Sequence, residues 1–139
     1  MRAVLDPNVL ISALLSRKGA PAQVLLRWLA GEFELIVSRE LLDELARALT
    51  YPKLRSRVPA DDATAFVSLL RDAAQVATDP VQRPSRASDP ADGYLLALAE
   101  AEQAVLVSGD KHLLTLAPEL PVTSARAFLD TLDDRFGVA

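Results

Sequence analysis

Apolar residues in this chain fall in two patterns, short unbroken runs and longer stretches where they recur every three or four positions. The runs at residues 3–5 and 33–37, a third at 104–107, and weaker ones at 74–77 and 121–123 are the length of buried strands and end at turn residues. Between them the spacing predicts helices over 8–16 and 21–29, split at Lys18-Gly19, and a third helix after Ser38, whose hydroxyl can cap it. That helix carries leucines at 41, 42, 45 and 49, and Pro52 stops it, leaving Lys53-Leu54-Arg55-Ser56-Arg57 as a basic loop. Asp61 and Asp62 open a fourth helix. Residues 79–88 form a polar, proline-bearing loop, followed by helices over 90–102, just after Asp110, and to about 134. Strands alternating with helices predict the α/β class, with a parallel sheet of about five strands flanked by helices on both faces. The pattern shows no repeat and no second domain, so one domain is expected over 1–139.

Composition narrows the chemistry. The 139 residues hold no cysteine, which excludes a disulfide framework, a thiolate metal site and a cysteine nucleophile together. No run approaches the ~20 apolar residues of a membrane span, and the N-terminus has no secretory apolar region, so a cytoplasmic protein is expected. The net charge of -4 confines any nucleic-acid contact to a local patch, for which the basic segment 53–57 is the candidate.

The acids carry the sharper signal. In parallel α/β sheets ligands bind beyond the carboxyl ends of the strands. Asp6 ends the first strand, and Asp110 lies just past the run 104–107. Glu44 has Leu41 three residues before it and Ala48 four after it, so it sits on the apolar stripe, whereas its neighbour Asp43 faces Arg39, Glu40 and Arg47. Asp92 has Leu95 and Leu96 three and four residues after it. A carboxylate on such a stripe is costly to desolvate unless it is paired, protonated or bound to metal. Each acid also has a local role open to it: Asp92 suits a first helical turn after Asp89-Pro90, Asp110 a helix cap, and Glu44 an arginine partner. Gathered at one edge, they would repel by roughly 4 kcal/mol per pair ~4 Å apart at an effective dielectric of 20. Hard divalent cations such as Mg²⁺ answer that repulsion with oxygen ligands and suit phosphoryl hydrolysis.

The segments VLDPNVLISALL, ELIVSRELLDELARAL, SDPADGYLLALA and VLVSGDKHLL together resemble, in order and across nearly the whole chain, the PIN-domain family. The match is to its bacterial branch of VapC-type toxins. The resemblance implies a Mg²⁺- or Mn²⁺-dependent endoribonuclease, the toxin of a type II toxin–antitoxin pair. Asp6, Glu44, Asp92 and Asp110 would be its catalytic and metal-holding acids, with Asn8 and Ser108 supporting them by hydrogen bonds. Water would attack phosphorus and the 3′ oxygen would leave.

Two departures stand out. Pro7 replaces the family's Thr, removing a hydroxyl and a backbone donor. His112 stands where a further Asp is common; if it reaches the site, a preference for Mn²⁺ or unequal binding of two ions follows. The resemblance also implies a homodimer, and an antitoxin laid against the first two helices, between Val9, Leu10, Leu14 and Leu15 on one side and Val24, Leu25, Trp28 and Leu29 on the other. Trp28, with Val24, Leu25 and Leu29 around it, is read first as a core residue, the groove being the second reading. The alternative is an RNA- or protein-interaction module of the same fold with a weak or inactive site. A haloacid-dehalogenase phosphatase would need an acid where Asn8 stands, and a response-regulator receiver would need paired acids after the first strand; neither fits.

Overall fold

The computed structural model describes residues 1–81, 90–117 and 119–136, the side chains of 90–92 excepted. The loop expected over 79–88 therefore lies mostly outside the described residues. Five strands form one sheet, β1 (Arg2–Leu5), β2 (Glu34–Ser38), β3 (Gln75–Ala77), β4 (Val105–Val107) and β5 (Val122–Thr123). All pairings are parallel, in the order β3-β2-β1-β4-β5. Ala3, Val4 and Leu5 are all essentially inaccessible. Since successive strand residues point to opposite faces, the central strand is covered on both sides, as the continuous apolar run requires.

Eight helices among the described residues supply that cover. They are α1 (Pro7–Leu15), α2 (Ala20–Leu29), α3 (Arg39–Ala48), α4 (Pro52–Arg55), α5 (Ala60–Ala73), α6 (Pro90–Ala101), α7 (Lys111–Leu114) and α8 (Ala125–Arg135). The α3 stripe of Leu41, Leu45 and Leu49 is buried, as are Val24 and Trp28 of α2, so Trp28 belongs to the core. Phe33 and Phe128 meet edge to face, with centroids 5.0 Å apart, a favourable aromatic arrangement that helps fix α8. Gly31, at φ +83°, closes α2 in a conformation that a side chain would strain. No single described helix is long and apolar enough to cross a membrane, and the apolar pair α1 and α2 is bent by 99°.

The expected elements are present, with ends moved by a residue or so. One expectation is corrected. Lys53 to Arg55 are not loop: Pro52 stops α3's path but occupies the first position of α4, where a missing N–H costs nothing. Pro7 opens α1 in the same way, so no helical hydrogen bond is lost there.

The strand order places the site. The sheet grows from β1 outward through β2 and β3 on one side, then restarts beside β1 with β4 and β5 on the other. The reversal leaves a crevice at the carboxyl ends of β1 and β4.

Candidate active site

Both sides of this crevice carry acids at its mouth. Asp6 directly follows β1 and is only 4% exposed. Its backbone N–H donates to Val107 O of β4 at 2.9 Å, which joins the two strand ends. Its carboxylate caps α1: Oδ1 accepts the Asn8 N–H at 3.0 Å. The other oxygen, Oδ2, accepts the Ser108 hydroxyl at 2.9 Å. Ser108 is fully buried, and its Oγ in turn accepts the Asp110 N–H at 3.0 Å. Asp110 caps α7, with Oδ1 accepting the His112 N–H at 2.8 Å. One hydrogen-bond chain thus runs from Asp110 through Ser108 to Asp6.

Asn8 and His112 take part through their main chains. The side chains of both residues are exposed. Support for Asp6 at position 8 therefore needs an N–H, not a carboxamide.

Glu44 reaches the crevice from α3. It is half-buried, while Asp43 is exposed and faces Arg39 at 3.9 Å. The N-terminus of α3 is fixed twice, by the Ser38 hydroxyl accepting from Leu41 N–H and by Asp79 accepting from Glu40 N–H. Glu44 then sits one turn further in, where its carboxylate lies beside the hydroxyl of Tyr94 from α6.

Burial is the largest influence on both carboxyls and raises their pKa values. For Asp6 the hydrogen bonds from Asn8 and Ser108 pull downward, and the charge of Asp110 pushes up again. For Glu44 the Tyr94 hydroxyl pulls down and the charge of Asp6 pushes up. Burial, and then the charge of Glu44, hold the Tyr94 phenol well above its ordinary value, so it stays a donor. Asp6 is the shared neighbour: it feels Asp110 on one side and adds to the fields at Glu44 and Tyr94 on the other.

Asp92 lies in the first turn of α6 by its backbone, and its side chain is outside the described residues. Among the described residues no three acidic or histidine side chains gather closely enough to form a ligand set by themselves. The donors are all oxygens, buried or half-buried and mutually repelling. A hard divalent cation that keeps several waters fits that donor set. Beside Asp110 a cleft of about 390 Å³ opens, lined by Asn8, Ser12, Ser108 and Ser124, with the Val9 side chain at its wall. It offers neutral hydrogen-bonding groups to whatever lies against the acids.

Tyr94 is the residue that sequence reading missed. It falls among Leu95, Leu96 and Leu98, so its position reads as core; its hydroxyl comes beside Glu44 only when α6 folds onto β1 and β4. The apolar residues expected as walls of a partner groove are mostly interior. Val9, Leu10, Val24 and Trp28 are buried, and on α2 the exposed leucines are Leu26 and Leu29.

The chain is similar to several known proteins. An uncharacterized protein of Methanocaldococcus jannaschii, MJ1680, is 25% identical over 119 residues, covering 86% of this chain and 77% of that protein. Among solved structures, PAE2754 of Pyrobaculum aerophilum superposes with a TM-score of 0.68 at 19% identity, covering 96% of each chain. VapBC2 of Rickettsia felis, solved bound to a DNA fragment from its promoter, gives a TM-score of 0.65 at 15% identity, covering 89% of this chain and 98% of that one. At such identities the structural matches establish the fold. The family model described as PIN domain matches residues 2–112, a span that includes β1, β4, Asp6, Glu44, Ser108 and Asp110. The chain therefore belongs to the PIN-domain family.

Proposed function

We propose that this protein is a divalent-metal-dependent endoribonuclease. The observation that carries the reading is the shortage of positive charge at the carboxyl edge, where Arg47 acts on Glu44 only from beyond ion-pair distance. Among the described residues neither Asp6, Glu44 nor Asp110 lies within ion-pair distance of a lysine or arginine, yet Asp6 is buried, feels the charge of Asp110 and adds to the field at Glu44. Such an arrangement persists best with a cation as counter-charge.

Asp6, Glu44 and Asp110, with Asp92, would hold Mg²⁺ or Mn²⁺, which supplies a Lewis acid for a phosphodiester and lowers the pKa of water. The rest is done by the chain itself. The Asn8 N–H and the Ser108 hydroxyl fix both oxygens of Asp6, which leaves their remaining lone pairs in set directions. Asp110 is held through its own N–H on Ser108. Tyr94 orients Glu44 and opposes its protonation. The neighbouring serine-lined cleft has room for part of a nucleotide.

The fold shared with VapBC2 supports a role as the toxin of a toxin–antitoxin pair, and a homodimer is part of that reading. An antitoxin would dock on the exposed Leu26 and Leu29 of α2. The test of the activity compares purified protein and Asp6→Asn on labelled RNAs in Mg²⁺, in Mn²⁺ and in chelator. Cleavage by the wild type that needs the cation and is lost in the variant supports the proposal. Equal cleavage by both proteins, or none by the wild type, overturns it.

A further inference from the structure

The net charge of -4 conceals one strongly positive stretch. From residue 45 to residue 60 there is no acid, while Arg47, Lys53, Arg55 and Arg57 supply four positive charges. The structure folds this stretch around a cleft of about 340 Å³ between α3, α4 and α5. Its polar lining consists of Arg55, Arg71, Thr50, Thr64 and Ser68, with no carboxylate among the lining residues. Thr64, Ser68 and Arg71 stand at i, i+4 and i+7 on one face of α5, a row about 10 Å long.

The guanidinium groups are available. Arg55 is steered by a bond from Nε to the Leu49 carbonyl at 3.4 Å, and the cap of α4 leaves it beside the cleft. Among the described residues neither Arg55 nor Arg71 is paired to a carboxylate. Arg57, in contrast, is engaged with the Leu15 carbonyl at 3.2 Å.

We infer that this cleft is a substrate-backbone site, in which Arg55 and Arg71, helped by the hydroxyls of Thr50, Thr64 and Ser68, hold phosphates of the RNA away from the scissile bond. The inference rests on the ribonuclease reading. Paired guanidinium forks and hydroxyl donors are the groups that grip phosphate oxygens without reading sequence. A row of this length suits a chain of phosphates better than a single free anion. The cleft and the acid site share α3: Ala46 lines the one and Glu44 belongs to the other, and Arg47, in the basic stretch, acts on the Glu44 charge. An RNA long enough to follow α3 would place its backbone in the cleft and one phosphodiester at the carboxyl edge. Positive charge in the cleft offsets the repulsion the acids impose on an incoming polyanion.

The test measures binding of a short fluorescein-labelled single-stranded RNA to the full chain in chelator, across a salt series, for wild type, Arg55→Gln/Arg71→Gln and Arg55→Lys/Arg71→Lys. The glutamine pair is expected to weaken binding and to flatten the dependence of log affinity on log salt by about 0.7 for each phosphate no longer neutralised. The lysine pair keeps the charge, retains most of the slope and shows that the fold tolerates substitution there. In cleavage assays with added cation, the glutamine pair raises KM and leaves kcat near wild type. Unchanged affinity and slope in the glutamine pair overturn the inference while leaving the ribonuclease reading intact. A slope that flattens in a protein that cleaves nothing sinks the ribonuclease reading and keeps the cleft as an RNA site. Tighter binding of polyglutamate than of RNA, abolished in the glutamine pair, overturns it in favour of an acidic protein partner.

Discussion

The two ends of the sheet treat their acids differently. At the amino edge the carboxylates that approach the core are matched to arginines. Arg2 lies 3.3 Å from Glu34 and 3.1 Å from Glu102, and also donates to the Glu102 carbonyl. Arg27 lies 2.6 Å from Glu32 and 2.7 Å from Asp133. At the carboxyl edge the same chain sets Asp6 between the charges of Asp110 and Glu44, and the described residues bring no arginine or lysine within ion-pair distance of them. Composition does not explain the contrast, since the 15 lysines and arginines could have served either end. The paired edge is built for stability, and the unpaired edge gives some of it up. Such a concession is what a site that must receive a cation and a phosphate would require.

The most direct way to break this comparison is to neutralise acids at both ends. At the carboxyl edge, Asp6→Asn and Glu44→Gln should each reduce cation-dependent RNA cleavage by about 10²–10³-fold, the loss of some 3–4 kcal/mol of transition-state stabilisation. At the amino edge, Glu34→Gln should leave cleavage unchanged and cost at most about 1 kcal/mol of stability, because its pair with Arg2 is partly exposed. A cleavage defect in Glu34→Gln as large as that in Asp6→Asn would dissolve the distinction.

Stability should show the opposite order. Burial raises the folded-state pKa values of Asp6 and Glu44, so the folded protein binds protons more tightly than the unfolded chain. Without cation, their contribution is favourable below the ordinary carboxylate range, is lost as pH rises through the raised values, and stays lost at neutral pH. Asp6→Asn removes that penalty, so the cation-free variant should melt above the wild type at neutral pH, with the gap closing on acidification. Saturating Mg²⁺ or Mn²⁺ should stabilise only the wild type, by about 2.7 kcal/mol at one hundred times the dissociation constant. Calorimetry with and without cation reads both effects; equal cation stabilisation of the two proteins would remove these acids from the metal site.

Much of this contrast could be anticipated from one dimension, and the limits are physical. Asp6 and Asp110 declare themselves by standing at strand ends, and Glu44 by the three- and four-residue offsets that separate it from Asp43. Those signals are local, and the strands and helices that carry them form nearly where periodicity places them. The pairing of Arg2 with Glu102 joins residues 100 apart and depends on β1 lying beside β4, which no local pattern encodes. Tyr94 is hidden for the same reason: in sequence it is one more apolar position, and only the docking of α6 on β1 and β4 brings its hydroxyl beside Glu44. The part played by Asn8 is backbone geometry, which residue type does not report. Pro52 misleads because a proline that stops one helix can begin another.

Ser108→Ala tests the link between the two acids of the β1–β4 crevice. Removing the hydroxyl deprives Asp6 of a donor and Asp110 N–H of an acceptor. Orienting groups of this kind are worth about 10–100-fold in metal affinity or activity. The expected result is weaker cation binding by titration calorimetry and a smaller loss of cleavage than in Asp6→Asn. Ser108→Thr keeps the hydroxyl and should recover part of both, provided the buried position accepts one more methyl. Full activity in Ser108→Ala would mean that Asp6 needs no support beyond the Asn8 N–H.

Tyr94→Phe should have the smallest effect and the most specific one. The ring stays, so its place in the core is kept, and loss of the hydroxyl should cost at most about 1 kcal/mol of stability. The phenol beside Glu44 lowers its pKa against the upward push of burial and of Asp6. Without it Glu44 takes up a proton more readily, so the acid limb of the pH–cleavage profile should move to higher pH, with the plateau nearly unchanged. In a Glu44→Gln background there is no carboxylate left to shift, and Tyr94→Phe should no longer move the limb. A limb that stays in place in the single variant would show that protonation of Glu44 does not limit cleavage. One that moves equally in both backgrounds would assign the effect of Tyr94 to Asp6, whose charge it also feels across the crevice.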